Sequence, residues 1–286
     1  MPELPEVEVI ARCLKARLSG LTVSAFRVLC PAVLRNTDII RLGRLKGGTV
    51  RDVRRRGKHL LMDTDADGNL GLLFHLKMTG RFVFRRPDQP WEKHTHFGLS
   101  FLEIGHQLRY LDVRKFGFIR CVELHGRSFP EELKELGPEP LDIGAAEFAG
   151  LLRGRKAVIK SLLLDQKIIA GIGNIYADEL LFRARINPLL SVSLLSDGDL
   201  ERVRISMRQV LREAVARNGS SIRDFTDAEG RRGTFQRFHC VYGREGCPCI
   251  VCGRTIERIR VSGRSSHYCP LCQKLPPIIS EKIKIG

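Results

Sequence analysis

The sequence predicts a multidomain α+β protein, and three observations predict it. The hydrophobic pattern changes twice along the 286 residues. It is helical at the start, broken into short strand-like runs to about residue 123, and helical again beyond the proline-rich break Gly137-Pro138-Glu139-Pro140. Two close cysteine pairs then follow near the C-terminal end. Hydrophobic residues at 43% and charged residues at 28% are the composition of a folded chain with a core.

The opening helix follows from Val7, Ile10, Leu14 and Leu18 on one stripe, with Gly20 as its stop. Pro2 and Pro5 fit only at or before its first turn. From Thr22 to Glu123, runs such as Leu60–Met62, Leu70–Leu76, Phe82–Phe84 and Phe97–Phe101 lie between turn signals such as Asp67-Gly68. This pattern predicts an antiparallel sandwich or barrel. Past the break, Ala146–Leu152 and Val158–Asp165 are short helices. Asn174 is the predicted N-cap of a helix over Ile175–Arg185 that ends at Asn187-Pro188. Leu200, Val203, Met207, Val210, Leu211 and Ala214 mark a longer helix that starts at Ser196 or Asp197. The polar stretch from Gly219 to Gly233 reads as a long exposed loop, a type that is usually functional or disordered.

Lys+Arg 48 against Asp+Glu 32 gives a formal charge of +16. That excess points to a polyanionic partner, most often nucleic acid, although a basic membrane-surface protein fits the charge as well. No apolar run approaches the roughly 20 residues of a membrane span. Glu3, Glu6 and Glu8 exclude a cationic leader, so a cytoplasmic protein is expected. There, nine cysteines are read as metal ligands and free thiols.

Cys249-x2-Cys252 and Cys269-x2-Cys272 are separated by sixteen residues. Two such pairs can close a tetrahedral Zn²⁺ site; a pair of redox dithiols matches the duplication poorly. Cys247 offers a third nearby thiol, but the two-residue spacing favours Cys249 and Cys252. All four positions would be filled by sulfur, so the metal would be structural. Arg254, Arg258, Arg260 and Arg264, with Ile256, Ile259 and Val261, suggest a basic β-hairpin between the pairs. An arginine held rigidly there could grip a phosphate; a solvated charged face explains any one of them alone.

Pro2-Glu3-Leu4-Pro5-Glu6 is an unusual helix start. Removal of Met1 would expose a secondary amine with a pKa near 8, partly neutral and nucleophilic at neutral pH. Attack on a sugar C1′ would form an iminium ion, and Glu3 could supply the proton that opens the ring. From these residues alone, a helix-starting proline and a dipole-complementing glutamate explain the segment better.

Distant motifs alter that balance. Pro2-Glu3-Leu4-Pro5-Glu6-Val7-Glu8, Arg55-Arg56-Gly57-Lys58-His59-Leu60 and His75-Leu76-Lys77-Met78-Thr79-Gly80 occur in order. They are followed by Asp112-Val113-Arg114-Lys115-Phe116-Gly117, by Asp165-Gln166-Lys167 with Gly171-Ile172-Gly173-Asn174-Ile175-Tyr176, and by the cysteine pairs. Together, over residues 2 to about 273, they resemble the bacterial formamidopyrimidine-DNA glycosylases, the MutM branch of the Fpg/Nei family.

The resemblance implies an N-terminal helix plus β-sandwich (2–135), a helix–two-turn–helix domain (136–236) with a lesion-capping loop at 219–233, and a C-terminal zinc-finger β-hairpin (237–273). Residues 274–286 are expected as a flexible tail. It implies action on damaged double-stranded DNA, with no membrane and one structural Zn²⁺; a monomer is expected because the sequence gives no reason for an oligomer. It implies a bifunctional glycosylase and abasic-site lyase that extrudes an oxidised purine, because C1′ is inaccessible in a stacked duplex. An endonuclease VIII-like relative for oxidised pyrimidines and a non-catalytic zinc-dependent DNA-binding protein are the alternatives.

By the same resemblance, Pro2, Glu3, Lys58 and Arg264 are catalytic. Pro2 attacks C1′, Glu3 donates a proton, Lys58 serves β-elimination, and Arg264 serves phosphate binding and δ-elimination. His94, Arg114, Arg155, Asn174, Met78 and Phe116 contact DNA, with Met78, Arg114 and Phe116 filling the gap left by the extruded base. Glu6, His75, Ser221 and Arg223 border the lesion pocket. Val113 stands where proline is common in the family, and Lys115 where arginine is frequent.

Overall fold

The computed structural model describes residues 1–126, 128–222 and 225–275. They form two compact units: Met1–Glu135 with Val215–Gln236, and Leu136–Ala214 with the residues from Arg237 on. The mixed α+β class with an N-terminal sandwich, a helical domain and a cysteine hairpin is what the sequence predicted.

In the first unit, α1 (Leu4–Leu18) begins with Pro5 inside its first turn. Val7, Ile10, Leu14 and Leu18 are all buried, so the predicted stripe is the packed face. Eight strands follow: β1 (Val23–Val28), then a short helix α2 (Ile39–Gly43), then β2 (Val50–Arg56), β3 (His59–Thr64), β4 (Leu70–His75), β5 (Gly80–Arg85), β6 (Thr95–Phe101), β7 (Gln107–Asp112) and β8 (Phe118–Glu123). They make two four-stranded antiparallel sheets, ordered β1-β6-β7-β5 and β2-β3-β4-β8. One core takes Phe74 and Ile119 from one sheet, Phe82, Phe97 and Tyr110 from the other, and the α1 stripe. The sequence reading named four of these strands. β2, β7 and β8 carry arginines at Arg54, Arg109 and Arg120 that hide their alternation. Arg109 is fully buried, with its guanidinium stacked 4.2 Å from the Trp91 ring and donating to the Pro90 and Gln89 carbonyls.

In the second unit lie α3 (Ala145–Leu152), α4 (Ile159–Leu164), α5 (Asn174–Ala184), α6 (Asp197–Ala216) and the ribbon β9 (Glu257–Val261) with β10 (Arg264–Tyr268). Ser196 and Asp199 cap α6 reciprocally, at 2.8 and 3.1 Å. A correction falls at α5. Its N-cap is Gly173, and Asn174 is the first helical residue. The Asn174 amide donates instead to the Ser265 carbonyl at 2.9 Å, so tertiary contact replaces local capping.

Candidate active site

In the first unit, Pro2 and Glu3 are buried at the head of α1. Glu3 is the N-cap, and Glu6 completes a capping box by accepting the Glu3 N–H at 2.8 Å. The other Glu6 oxygen accepts the Ser220 N–H at 2.7 Å. One carboxylate therefore ties the helix head to the segment after α6. Gly219 sits there with φ +73°, and a Cβ on it would lie 2.7 Å from Glu6 Oε1.

The Gly219–Gly233 stretch is less open than the sequence suggested. Gly219, Ser220, Ser221, Asp227, Ala228 and Gly233 are buried. Ser221 Oγ accepts the Gly233 N–H at 2.8 Å and donates to the Phe225 carbonyl at 2.6 Å, while Gln236 accepts the Ser221 N–H at 2.9 Å. Polar composition misled here because the polar groups satisfy one another across the loop's base. Arg223 lies outside the described residues.

Lys58 occupies the two-residue turn between β2 and β3 and is only 7% exposed. Of the basic cluster around it, Arg55 is committed to Glu8 at 2.8 Å and Arg54 to Asp63. Behind Lys58, the rings of His59 and His75 meet edge to face, with centroids 4.5 Å apart. His75 Nδ1 accepts the Lys77 N–H at 3.0 Å. Burial first, then neighbouring cationic groups including Lys77 and Lys58, pushes the His75 pKa down to about 2. Burial and Lys77 likewise push His59 down to about 4. Both rings are neutral at physiological pH.

Met78, Arg114 and Phe116 come together on two adjacent turns, β4–β5 and β7–β8. All three are exposed. The Arg114 guanidinium lies 3.0 Å from the Met78 sulfur and 4.5 Å from the Phe116 ring centroid. Two exposed apolar side chains gathered around one cation make this a candidate contact surface. The residue that holds them was not singled out from the sequence: Asp112, fully buried. It accepts the Gly117 N–H at 2.8 Å, the Arg114 N–H at 3.2 Å and the Thr79 hydroxyl. Its backbone N–H donates to the carbonyl of His94, which is partly exposed. A Cβ at Gly117 would overlap the Tyr110 hydroxyl. An Asp placed five residues before a Gly on a strand-ending turn was the available signal.

In the second unit, the four predicted sulfurs of Cys249, Cys252, Cys269 and Cys272 all lie within 4.8 Å of one another. Cys249 and Cys272 are 3.9 Å apart, and Cys252 and Cys269 3.4 Å. A tetrahedral site with Zn–S bonds of about 2.3 Å needs sulfurs roughly 3.8 Å apart, so the group fits one structural zinc with no open position. Cys247 is exposed and outside the cluster.

Arg264 is exposed at the first position of β10, next to the turn Ser262-Gly263, whose φ values are +48° and +77°. Behind it, Lys160 and Asp178, both fully buried, pair at 2.5 Å. Lys160 also donates to the Ser265 carbonyl at 3.0 Å, and Asp178 accepts the His267 N–H at 2.9 Å. Asn174 shares that Ser265 carbonyl, and its own Oδ1 faces inward without a partner at the start of α5. A helix N-terminus beside an amide is a ready anion site. Arg155 is exposed and spends one N–H on the Leu151 carbonyl at 2.8 Å. The predicted set thus divides. Pro2, Glu3, Glu6, Lys58, His75, Met78, His94, Arg114, Phe116 and Ser221 belong to the first unit, and Arg155, Asn174, Arg264 and the cysteines to the second.

Three family models match consecutive parts of the chain. They are the formamidopyrimidine-DNA glycosylase N-terminal domain over residues 1–119, its H2TH domain over 136–226, and the zinc finger found in FPG and IleRS over 246–275. The formamidopyrimidine-DNA glycosylase of Pelotomaculum thermopropionicum is 43% identical over 278 residues, covering 96% of this chain and all of that one. The Listeria innocua protein of the same name is 39% identical over 279 residues, with 96% and 100% coverage. Among solved structures, a Lactococcus lactis Fpg bound to DNA with an abasic site is similar at TM-score 0.85 and 34% identity, covering 96% of this chain and 100% of that one. A complex of a Lactococcus lactis FPG mutant with Fapy-dG-containing DNA is similar at TM-score 0.86, 34% identity and the same coverage.

Proposed function

The chain belongs to the formamidopyrimidine-DNA glycosylase family, and we propose that its chemistry is carried by Pro2 at the head of α1. It is a base-excision-repair glycosylase and abasic-site lyase that removes oxidised purines from damaged DNA. It works in the cytoplasm, on the nucleoid.

Once Met1 is removed, the Pro2 nitrogen attacks C1′ of the damaged nucleotide. The C1′–N bond to the base breaks, and the sugar ring opens as Glu3 supplies a proton to its oxygen. The resulting iminium draws electrons, so loss of a C2′ proton expels the 3′ phosphate. A second elimination expels the 5′ phosphate, which leaves a one-nucleotide gap. Lys58, next to the neutral His59 and His75 rings, serves β-elimination from a setting suited to the phosphate side of the nucleotide. Arg264 and Asn174 hold backbone phosphates, and zinc, when bound, keeps the hairpin under Arg264 rigid. Met78, Arg114 and Phe116 fill the vacated stack. Glu6 and the segment from Ser220 border the lesion pocket, which includes Ser221 and Arg223.

The observation that carries this reading is the burial of Pro2 and Glu3 at a helix head whose capping box also reaches Ser220. Borohydride trapping on an 8-oxoguanine duplex, followed by mass spectrometry, tests it. An adduct on Pro2 of the processed chain is expected. Its absence from processed, zinc-loaded protein reduces the assignment to DNA binding. A parallel duplex containing thymine glycol reports whether oxidised pyrimidines are taken instead.

A further inference from the structure

We infer that Asp227 is a positioning residue for lesion recognition, fixing the capping loop onto the same helix that carries Pro2. This rests on the function proposed above. Asp227 is 1% exposed, so it does not itself meet DNA. Its Oδ1 accepts the N–H groups of Glu229 and Arg231, each at 2.9 Å, and its Oδ2 accepts Arg231 Nε at 2.8 Å. Its own N–H donates to the Arg231 carbonyl, and its carbonyl accepts the Gly230 N–H, both at 3.0 Å. One residue thereby knots 227–231 with five hydrogen bonds.

That knot is seated on α1. Ala228 lies inside the core cluster that includes Val7, Ile10 and Leu14, and Phe225 packs against it. The Cys13 sulfur and the Asp227 and Glu229 carboxylates lie within 4.8 Å of one another. Glu229 also receives Arg17 at 3.4 Å. With Glu6 holding Ser220, the loop is fastened to α1 at both ends of the helix. In sequence, Ser221, Ile222 and Phe225, which belong to the proposed lesion-contacting segment, lie between these two fastenings. The described ends of that segment are therefore tied to the helix that carries Pro2 through Glu6 on one side and through the Asp227 knot on the other.

A base still attached to sugar must be read by the loop, whereas a ready-made abasic site has no base to read. Loss of the knot is therefore felt in base excision and not in lyase action. The test compares wild type, D227A and D227N in single-turnover cleavage of an 8-oxoguanine duplex and of an abasic duplex, with thermal unfolding alongside. D227A is expected to slow excision by about tenfold or more, the scale of a misplacement of an ångström or less, with abasic cleavage within about twofold. D227N keeps one carbonyl oxygen for the Glu229 and Arg231 N–H groups and is expected to recover most of the excision rate. Should D227A fail to fold, D227S takes its place. Equal loss on both substrates, unchanged excision in D227A, or no recovery in D227N at matched stability overturns the inference. Wild-type protein that cleaves the abasic duplex but never excises 8-oxoguanine overturns the underlying function instead.

Discussion

The Met78–Arg114–Phe116 turns and the Arg264 hairpin both present side chains outward, yet they are held by different physics. The turns grow from strands already locked in a sandwich core, so one buried carboxylate, Asp112, suffices to fix them. The hairpin has only a small core of its own, where Phe182, Val241 and Ile256 surround the cysteines. It depends on a metal cross-link and on the buried Lys160–Asp178 pair beneath it. Segments with too little apolar area to bury need such staples. A turn rooted in a sheet needs only its backbone donors satisfied.

Removing the metal should break the comparison most severely. Structural zinc supplies on the order of 10 kcal/mol of folding free energy to small finger modules. Chelation, or Cys252→Ser, is expected to unfold the hairpin and release Arg264. If Arg264 holds a backbone phosphate as proposed, losing that charged contact is worth about 3 kcal/mol, roughly a hundredfold in affinity for an abasic duplex. Titration of the duplex into chelated and zinc-restored protein checks this. Affinity that is indifferent to zinc would mean that the polar pair alone holds the hairpin.

Asp112→Ala is the matching break on the other side. It strands the Gly117 N–H and the Thr79 hydroxyl, and it leaves the buried Tyr110 hydroxyl without its acceptor. A loss of about 3 kcal/mol is expected in denaturant unfolding, with excision reduced if these turns fill the vacated stack as proposed, because they lose their anchor. An effect within 0.5 kcal/mol, the usual size for surface positions, would show that the strands alone hold those turns.

Met78→Ala and Phe116→Ala sharpen the comparison by removing what the anchor presents and leaving the anchor intact. Both side chains are exposed, at 41% and 49%, so stability should stay within about 0.5 kcal/mol. On the proposed stack-filling role, excision from duplex DNA should fall about tenfold, because unstacking then lacks part of its compensation. A lesion placed opposite a gap, already unstacked, should show little difference between variant and wild type.

These contrasts also mark what can be read from a sequence. The α1 stripe and the cysteine pairs were legible because periodicity or fixed spacing carries them, whereas Met78, Arg114 and Phe116 stood out only through the family resemblance. Asp112 was harder to see, since its partners come from two turns 33 residues apart in sequence. The Lys160–Asp178–Ser265 link joins three elements across 105 residues, and no local pattern encodes it. Asn174 looked like an N-cap because Asn favours that place; the Ser265 carbonyl, invisible locally, outbid the helix end. Local chemistry predicts elements, whereas the groups that align elements for function are recruited from afar.

A last expected effect concerns acid, and it touches both regions. His75 lies beside the Met78 turn, and His239 lies in the second unit, 5.7 Å from the Tyr242 ring. Burial holds both neutral, with folded pKa values near 2 and 4 against an ordinary 6.5. Below pH 6.5 the unfolded chain therefore binds protons that the folded chain refuses. Stability falls as pH drops through that value and keeps falling until the folded pKa is reached. At pH 5 each ring should contribute about 2 kcal/mol of lost stability relative to neutral pH. His75→Gln can still accept the Lys77 N–H, so it should flatten the first unit's share of this slope without altering stability much at pH 8. His239→Gln should do the same for the second unit. Denaturant unfolding of zinc-saturated protein at pH 8, 6 and 5 gives the slopes, and an unaltered slope in His75→Gln would mean that this imidazole reaches solvent and takes up its proton in the folded state.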